Sequence, residues 1–400
     1  MTNVDRSTVP GRVADARRGG TVTFVSGGAA ERVEWARLHE DARAVAAALQ
    51  ARGVGPGAHV ALLALTSRAL VTAIQATWLA GATAVVLPLP MRMGSLGEFV
   101  AQTRARIAGA DAALVAIGDE LAAMLDRQEG DPPVVVLGQL LAEAAALGAG
   151  RFDPPAIDPE SLAVLQFTSG STAEPKGVML PHRTILANLD GATEAAALDP
   201  ESDVLVSWLP LYHDMGLIGL LTLAMITGTD LVLGAPHDYL SSPGSWMEWI
   251  SRFGGTATAG PNFAYALATR ALRRQGGLDL SRLRVALSGA EPVDPRTFAA
   301  FCEAAGAHGF DPRAAFPAFG MAEVAIAGTF PPLLSGLRTD TIEIDGQGRT
   351  FALLGRPIPG LEMRVVDPST GAARGAREVG ELEFAGTSVT SGYYRRPDAT

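Results

Sequence analysis

Hydroxyl groups, glycines and a lysine are concentrated in one short stretch, Phe167-Thr168-Ser169-Gly170-Ser171-Thr172-Ala173-Glu174-Pro175-Lys176-Gly177. Glycines let backbone N–H groups turn toward an anion, the hydroxyl groups add hydrogen-bond donors, and Lys176 adds a cation. The distance from Gly170 to Lys176 does not fit the GxxxxGK[ST] phosphate loop. The stretch therefore predicts a phosphate-binding loop of another kind, although composition alone fits a polar surface loop equally well.

Two further strings combine small residues with an acidic or aromatic side chain. They are Ser288-Gly289-Ala290-Glu291-Pro292 and Phe319-Gly320-Met321-Ala322-Glu323. A carboxylate beside a triphosphate is unfavourable unless a hard cation lies between them. Glu323 is thus a candidate metal ligand, although by itself it would more often be a solvated or capping residue.

A histidine precedes a long apolar run in Ser207-Trp208-Leu209-Pro210-Leu211-Tyr212-His213-Asp214-Met215-Gly216-Leu217-Ile218-Gly219. A lone histidine in such a place is more often a core or strand-end residue than a site residue. The run from Met215 to Met225 suits either the lining of an alkyl pocket or a core helix. An amino-acid substrate would need a buried anion to pair with its ammonium group.

The elements that must position these strings alternate between apolar strands and helices. The first series contains HVALLAL, TAVVLPL, AALVAI and VVVLG, and the second contains AVLQFTSGST, DVLVSWLP, DLVLG, TATAGP and RVALSGAE. Such alternation indicates mostly parallel sheets covered on both faces. We predict an α/β fold with two stacked α/β subdomains, residues 1–160 and 161–330, followed by a small β subdomain, residues 331–400.

Composition narrows the class of protein. Apolar residues make up 48% of the chain and charged residues 18%, which indicates a globular protein with substantial cores. The formal charge of -10 and the lack of a basic run argue against a nucleic-acid partner. The first twenty residues lack the apolar segment of a secretory signal, and polar residues and prolines interrupt the uncharged stretch from Ala69 to Met91. We therefore expect a cytoplasmic protein without a membrane span.

The complete string from Phe167 to Gly177 resembles the signature loop of the adenylate-forming superfamily, which includes acyl-CoA synthetases, luciferases and nonribosomal peptide adenylation domains. The resemblance implies ATP and Mg²⁺ as cofactors, a β-barrel-like third subdomain, and a loop that holds the β- and γ-phosphates. It assigns this phosphate contact to Thr168, Ser169, Gly170, Ser171, Thr172 and Lys176. It places Gly289, Ala290, Glu291 and Pro292 at the adenine, Phe319, Gly320, Met321 and Ala322 in the motif that stacks on the base, and Glu323 on Mg²⁺.

The strings around His213, around Gly260 and at Gly289 resemble those of fatty acyl-AMP ligases in particular. This resemblance implies catalytic roles for Lys176, Glu323 and His213. It implies a substrate site formed by His213, Asp214, Met215, Gly216, Gly260, Asn262 and Phe263. The implied reaction joins a fatty-acid-like carboxylate to AMP, releases pyrophosphate, and then loads an acyl carrier protein. His213 occupies the position where amino-acid-activating relatives have Asp. This weakens the prediction of an amino-acid substrate without excluding it.

Two departures from the family pattern leave alternatives open. The ribose-binding Asp motif and the C-terminal lid with its lysine are not in the sequence, so we expect an N-terminal portion with low activity. The stretch between Glu323 and Gly355 is shorter than the region where fatty acyl-AMP ligases carry an insertion. The alternatives are therefore an acyl-CoA ligase, an adenylating enzyme for a non-fatty acid, and a non-catalytic nucleotide- or acyl-binding module.

Overall fold

The computed structural model describes residues 5–17, 19–89, 96–125, 128–168, 176–344 and 347–400. Within these ranges the α-helices are α1 (Val9–Ala16), α2 (Trp35–Ala51), α3 (Arg68–Leu79), α4 (Leu96–Gly109), α5 (Leu137–Leu147), α6 (His182–Ala195), α7 (Asp214–Gly216), α8 (Leu223–Thr227), α9 (Pro236–Ser241), α10 (Ser245–Phe253), α11 (Asn262–Leu272) and α12 (Pro295–Gly306). The strands of the two large sheets are β1 (Thr21–Ser26), β2 (Ala29–Glu34), β3 (His59–Leu63), β4 (Thr83–Val86), β5 (Ala112–Ile117), β6 (Val134–Val136), β7 (Leu162–Thr168), β8 (Lys176–Pro181), β9 (Val204–Ser207), β10 (Asp230–Gly234), β11 (Ala257–Gly260), β12 (Val285–Ser288) and β13 (Ala315–Pro317). The remaining strands are β14 (Phe319–Gly320), β15 (Ala327–Phe330), β16 (Thr339–Ile344), β17 (Gln347–Ala352), β18 (Arg356–Pro357), β19 (Leu361–Val366) and β20 (Glu381–Gly386).

A six-stranded sheet has the order β6-β5-β3-β4-β7-β8. Its neighbours are parallel except for the antiparallel hairpin of β7 and β8. Every residue of β3 is buried, as a central strand covered on both faces requires. The hairpin brings Thr168 opposite Lys176, so both ends of the predicted phosphate loop lie at one point of this sheet.

A seven-stranded sheet has the order β13-β12-β11-β9-β10-β1-β2 and is parallel except for the β1–β2 pair. Leu205, Ala257 and Val285 lie side by side across β9, β11 and β12. Since side chains alternate between the faces of a sheet, these three share one face. Parallel strands also share an edge for their carboxyl ends, and the predicted site strings follow β9, β11, β12 and β13 at that edge.

Three small antiparallel sheets complete the fold, with the orders β14-β15-β18, β16-β17 and β19-β20. The predicted fold class, mixed α/β with mostly parallel sheets, is confirmed. Strands β1 and β2, which precede residue 160, belong to the seven-stranded sheet, and β7 and β8, which follow it, belong to the six-stranded sheet. Each large sheet therefore contains strands from both sides of residue 160. The division into units at residues 160 and 330 stays a prediction.

Several element ends have local causes in the sequence. Helix α12 begins where the Asp294 side chain accepts hydrogen bonds from two backbone amides of the first turn, with Pro295 as the first helical residue. Helix α2 ends before Gly53, whose φ of 80° favours glycine. The helix expected between β5 and β6 is only a short 3₁₀ helix, Asp119–Met124.

None of the helices in the described ranges is long and apolar enough to cross a membrane.

Candidate functional site

A cavity of about 430 Å³ runs between helix α6 and the seven-stranded sheet. Thr168, His213, Asp214 and Glu323 contribute polar groups to its wall. The other predicted site residues in the wall are Met215, Gly289, Ala290, Phe319, Gly320, Met321 and Ala322. The structure thus brings together residues from four separate strings of the sequence.

The carboxyl ends of strands explain why these strings converge. Thr168 ends β7, Gly289 follows β12, and Phe319 comes two residues after β13. In open α/β sheets, ligands bind in the crevice outside the carboxyl ends of the strands. The remaining wall consists largely of apolar side chains from α6, β9, β11 and β12. One cavity therefore joins a polar mouth to an apolar channel.

Tyr393 connects the lysine and the glutamate that the sequence singled out. Its hydroxyl donates a hydrogen bond of 2.7 Å to Glu323 Oε1, and Lys176 Nζ lies 5.0 Å from the centre of its ring. Burial, together with the hydrogen bond to Glu323 and the charge of that carboxylate, raises the pKa of Tyr393 to about 12. The phenol therefore stays protonated at neutral pH and remains a donor to Glu323.

The segment from residue 387 to 400 holds this arrangement against β8. The Tyr394 amide donates to the Gly177 carbonyl at 2.8 Å, and the Thr390 amide donates to the Glu323 carbonyl at 2.7 Å. Sequence reasoning treated this segment as the end of the small β subdomain and missed Tyr393. A pair of tyrosines after Gly392 was the available signal, but nothing local relates it to Glu323, 70 residues earlier.

His213 and Asp214 lie where β9 leads into α7; His213 is exposed and Asp214 is partly buried. The protein packed around the His213 ring removes part of its hydration and lowers its pKa, which keeps the ring neutral at pH 7. Burial, followed by the charge of Glu323, raises the pKa of Asp214 to about 6, although the Met215 amide, 2.7 Å from Asp214 Oδ1, opposes the shift. The turn is fixed by the Gln166 side chain, which donates to the Tyr212 carbonyl at 2.7 Å.

Two predicted substrate-site glycines, Gly216 and Gly260, are not among the residues of the cavity wall. A Cβ at Gly216 would come within 2.3 Å of the Pro210 carbonyl oxygen. A Cβ at Gly260 would come within 2.8 Å of the Trp246 ring. Both positions therefore require glycine for packing, whatever else they do.

The remaining predicted residues outside the wall gather at the carboxyl edge of the seven-stranded sheet. The Phe263 amide donates to Glu291 Oε1 at 2.7 Å, the Asp294 amide donates to Asn262 Oδ1 at 3.1 Å, and Pro292 follows Glu291. Phe263 is 46% exposed. Lys176 is not part of the cavity wall, and its side-chain contact with the site is the one between its Nζ and the Tyr393 ring. Ser169, Gly170, Ser171 and Thr172 lie outside the described residues.

The donor set at Glu323 bears on the expected Mg²⁺. The described ranges hold no group of three or more His, Cys, Asp or Glu side chains suited to a metal ion. Mg²⁺ is commonly bound through one or two carboxylates plus substrate phosphates and water. The two carboxylates in the cavity wall, Glu323 and Asp214, fit an ion that arrives with a nucleotide better than one held by the protein alone.

Comparison with known proteins identifies the family. The sequence profile described as "AMP-binding enzyme" matches residues 12–394, and the chain belongs to this family. A protein of Mycobacterium tuberculosis, provisionally assigned as a ligase, is 37% identical over 90% of this chain and 68% of its own length. A second protein of that species, provisionally a fatty-acid–CoA ligase, is 31% identical over 93% of this chain and 67% of its own length. The chain thus spans about two-thirds of each.

A relative from Teredinibacter turnerae is named a medium-chain-fatty-acid–acyl-carrier-protein ligase. It is 30% identical over 61% of this chain and 40% of its own length. The crystal structure of a fatty acyl-adenylate ligase from L. pneumophila, in complex with acyl adenylate and pyrophosphate, superposes with a TM-score of 0.89. Its sequence is 28% identical, and the match covers 99% of this chain and 71% of that chain. The fold is that of an adenylate-forming enzyme.

Proposed function

We propose that this protein takes part in the ATP-dependent activation of a fatty-acid-like carboxylate to its acyl-AMP. The observation that carries the proposal is the single cavity that joins a polar mouth, with Thr168 and Glu323, to an apolar channel between α6 and the sheet. A nucleotide at the mouth and an alkyl chain in the channel would bring the α-phosphate and the carboxylate together.

In the proposed reaction a carboxylate oxygen attacks the α-phosphorus of ATP, and the bond from that phosphorus to the bridging oxygen breaks to release pyrophosphate. No general base is required, because the carboxylate is already ionised at neutral pH. The neutral ring of His213 agrees with this, since it adds no charge beside the acyl chain. Positioning and charge neutralisation then account for the rate.

Two residues that contact Tyr393 would neutralise charge in this reaction. Lys176 would neutralise phosphate oxygens, and Glu323, oriented by the Tyr393 hydroxyl, would hold the metal ion. Mg²⁺, when bound, supplies positive charge between phosphate oxygens. The Phe319 ring, in the cavity wall, offers a flat apolar face to the base.

The test is isotope exchange between ATP and pyrophosphate, measured with a series of fatty acids and with amino acids as the comparison. We expect exchange that depends on a fatty acid and on Mg²⁺. Tyr393→Phe, which deletes only the hydroxyl, should raise the Mg²⁺ concentration needed for half-maximal exchange. If no acid supports exchange even when the C-terminal lid is present, but nucleotide still binds, the protein is instead a binding module.

The acceptor has two candidates. We propose an acyl carrier protein, supported by the resemblance to fatty acyl-AMP ligases and by the name of the Teredinibacter turnerae relative. The name of the second Mycobacterium tuberculosis relative favours CoA, as does the short stretch between Glu323 and Gly355. Supplying preformed acyl-AMP with either CoA or a phosphopantetheinylated carrier protein separates the two. Transfer to CoA alone would reject the carrier-protein proposal.

A further inference from the structure

The apolar channel ends at an arginine. Arg284 directly precedes β12 and belongs to the cavity wall together with Ala196 and Leu198. Because β12 runs from Val285 toward Gly289, Arg284 lies at the amino end of the strand and Gly289 at the polar mouth. The charged side chain is therefore at the end of the channel farthest from the nucleotide motifs.

Arg284 is fixed there by several acceptors. Its Nε donates to Asp203 Oδ1 at 2.8 Å, and its two terminal nitrogens donate to the carbonyls of Ala196 at 2.8 Å and Ala197 at 3.0 Å. A terminal nitrogen also bonds Asp203 Oδ2. The two carbonyls directly follow α6, so the guanidinium also caps that helix, where a cation is favourable.

The Asp203 carboxylate makes this contact hard to displace. Its side chain is 3% exposed. Burial alone would raise its pKa, but hydrogen bonds from Arg284, from the Thr256 hydroxyl and from the Asp199 amide bring it below the ordinary value. Asp203 is thus ionised at neutral pH, and moving Arg284 away would leave a buried charge without its partner, which is strongly unfavourable.

We propose that Arg284 is the floor of the acyl channel and sets the maximum length of the acid; this inference rests on the proposed function. An apolar floor can yield when side chains change rotamer, whereas this floor is held by charge-assisted hydrogen bonds. A chain that is too long meets a rigid obstacle, so activity toward longer acids should fall abruptly.

The strand gives the scale of the channel. From Arg284 to Ser288 there are four steps of about 3.3 Å, or about 13 Å. An extended alkyl chain advances about 1.25 Å for each C–C bond of about 1.5 Å. The channel therefore accepts about ten carbons, which makes medium-chain acids the preferred class.

The experiment measures binding of acyl-sulfamoyl adenosines, stable mimics of acyl-AMP, to the chain by calorimetry. We expect affinity to rise with each added methylene up to about ten or twelve carbons, and then to fall at least about tenfold by sixteen. In the double variant Arg284→Ala with Asp203→Asn, the sixteen-carbon analogue should bind within about threefold of the ten-carbon one. The second substitution avoids leaving Asp203 as an unpaired buried charge.

Two further variants make the result specific to the floor. Arg282→Ala removes a neighbouring arginine that bonds the Ser202 carbonyl and does not belong to the cavity wall, so it should leave the length limit unchanged. Leu198→Ala enlarges the same end without touching the charges, and should move the limit by no more than one or two carbons.

An unchanged limit in a folded double variant would overturn the floor role, as would a Leu198→Ala shift as large as that of the double variant. Should the double variant not fold, a Leu198→Ala shift of more than about two carbons would overturn the floor role, and a smaller shift would support it. Failure of every analogue to bind the parent chain would instead reject the proposed function.

Discussion

Lys176 stands out because it is the only lysine in the 400 residues, whereas the other 31 residues in the Lys plus Arg total of 32 are arginine. A lysine ammonium is a compact charge that contacts single phosphate oxygens, whereas arginine presents a planar fork. Lys176 contacts the Tyr393 ring, and the Tyr393 hydroxyl donates a hydrogen bond to Glu323. Three residues from distant parts of the chain thus place one cation and one carboxylate at the mouth of the cavity.

Substituting Lys176 with alanine should lower ATP–pyrophosphate exchange by about two to three orders of magnitude, the usual effect of losing one electrostatic contact to a reacting group. The melting temperature should stay within about 2 °C, since a half-exposed cation–π contact contributes about 1 kcal/mol or less. Because only the chain's α-amino group competes, amine-reactive reagents should label Lys176, and ATP should protect it. A collapse in melting temperature would assign the lysine a structural role.

Asp214 gives the site a pH dependence. Because burial and the charge of Glu323 raise its pKa to about 6, its carboxylate is ionised at pH 7.5 and largely neutral at pH 5. The ionised form repels a substrate carboxylate, so a fatty acid should bind several-fold more tightly as the pH falls through about 6. Calorimetry across this range should show the change in the parent chain and its loss in Asp214→Asn. An equal change in both proteins would remove Asp214 as its source.

At the scale of elements, helix α6 decides the shape of the channel. Leu189 and Ala192 face the cavity, and the helix end is capped by Arg284. Its middle is attached to β15 by the Asn188 side chain, which donates to the Ala327 carbonyl at 2.8 Å and accepts from the Ala327 amide at 2.9 Å. One side chain thus completes the backbone hydrogen bonding of a strand and fixes the wall of the site.

Asn188→Ala should lower the free energy of unfolding by about 2 to 4 kcal/mol, because it leaves a buried N–H and C=O of Ala327 without their partners. Denaturation by guanidinium measures the change. Glu194→Ala, an exposed position on the same helix, is the matched control and should stay within about 0.5 kcal/mol. Equal effects of the two substitutions would show that Asn188 does not hold the helix to β15.

At the scale of the whole molecule, stability depends on two buried histidines, each of which belongs to a helix packed in the core. His39 is 3% exposed within α2, and His182 is fully buried at the start of α6, where its Nδ1 accepts the Val9 amide of α1 at 3.3 Å. Burial lowers the pKa of each to about 4, and for His39 the charges of Arg17 and Arg43 add to the effect. Both rings are therefore neutral in the folded protein at neutral pH.

Stability should consequently fall in mild acid. The unfolded chain binds protons at these histidines near pH 6.5, whereas the folded chain does so only near pH 4, so the free energy of unfolding decreases as the pH drops between these values. At about pH 5 the loss should reach about 2 kcal/mol for each histidine. Denaturation at pH 7.5 and 5 measures it, and the loss should be smaller in His182→Asn, which keeps an acceptor for Val9. An identical loss in that variant would contradict the assignment for His182.

The sequence by itself determined the fold class, because the periods of strands and helices are set by neighbouring residues. The strings around Thr168, Gly289, Phe319 and Glu323 were assigned to one site by their resemblance to adenylate-forming enzymes. Strand ends alone would not have joined them, since Thr168 ends a strand of the six-stranded sheet, whereas Gly289 and Phe319 follow strands of the seven-stranded sheet.

Only the tertiary structure decided which other residues complete that site. Tyr393 lies 70 residues from Glu323, and Arg284 lies 81 residues from Asp203. No local pattern relates such pairs, because their contact is produced by the packing of strands, helices and the segment after β20. The same packing decided that Gly260 and Asn262 lie outside the cavity wall and that a charged pair closes its far end.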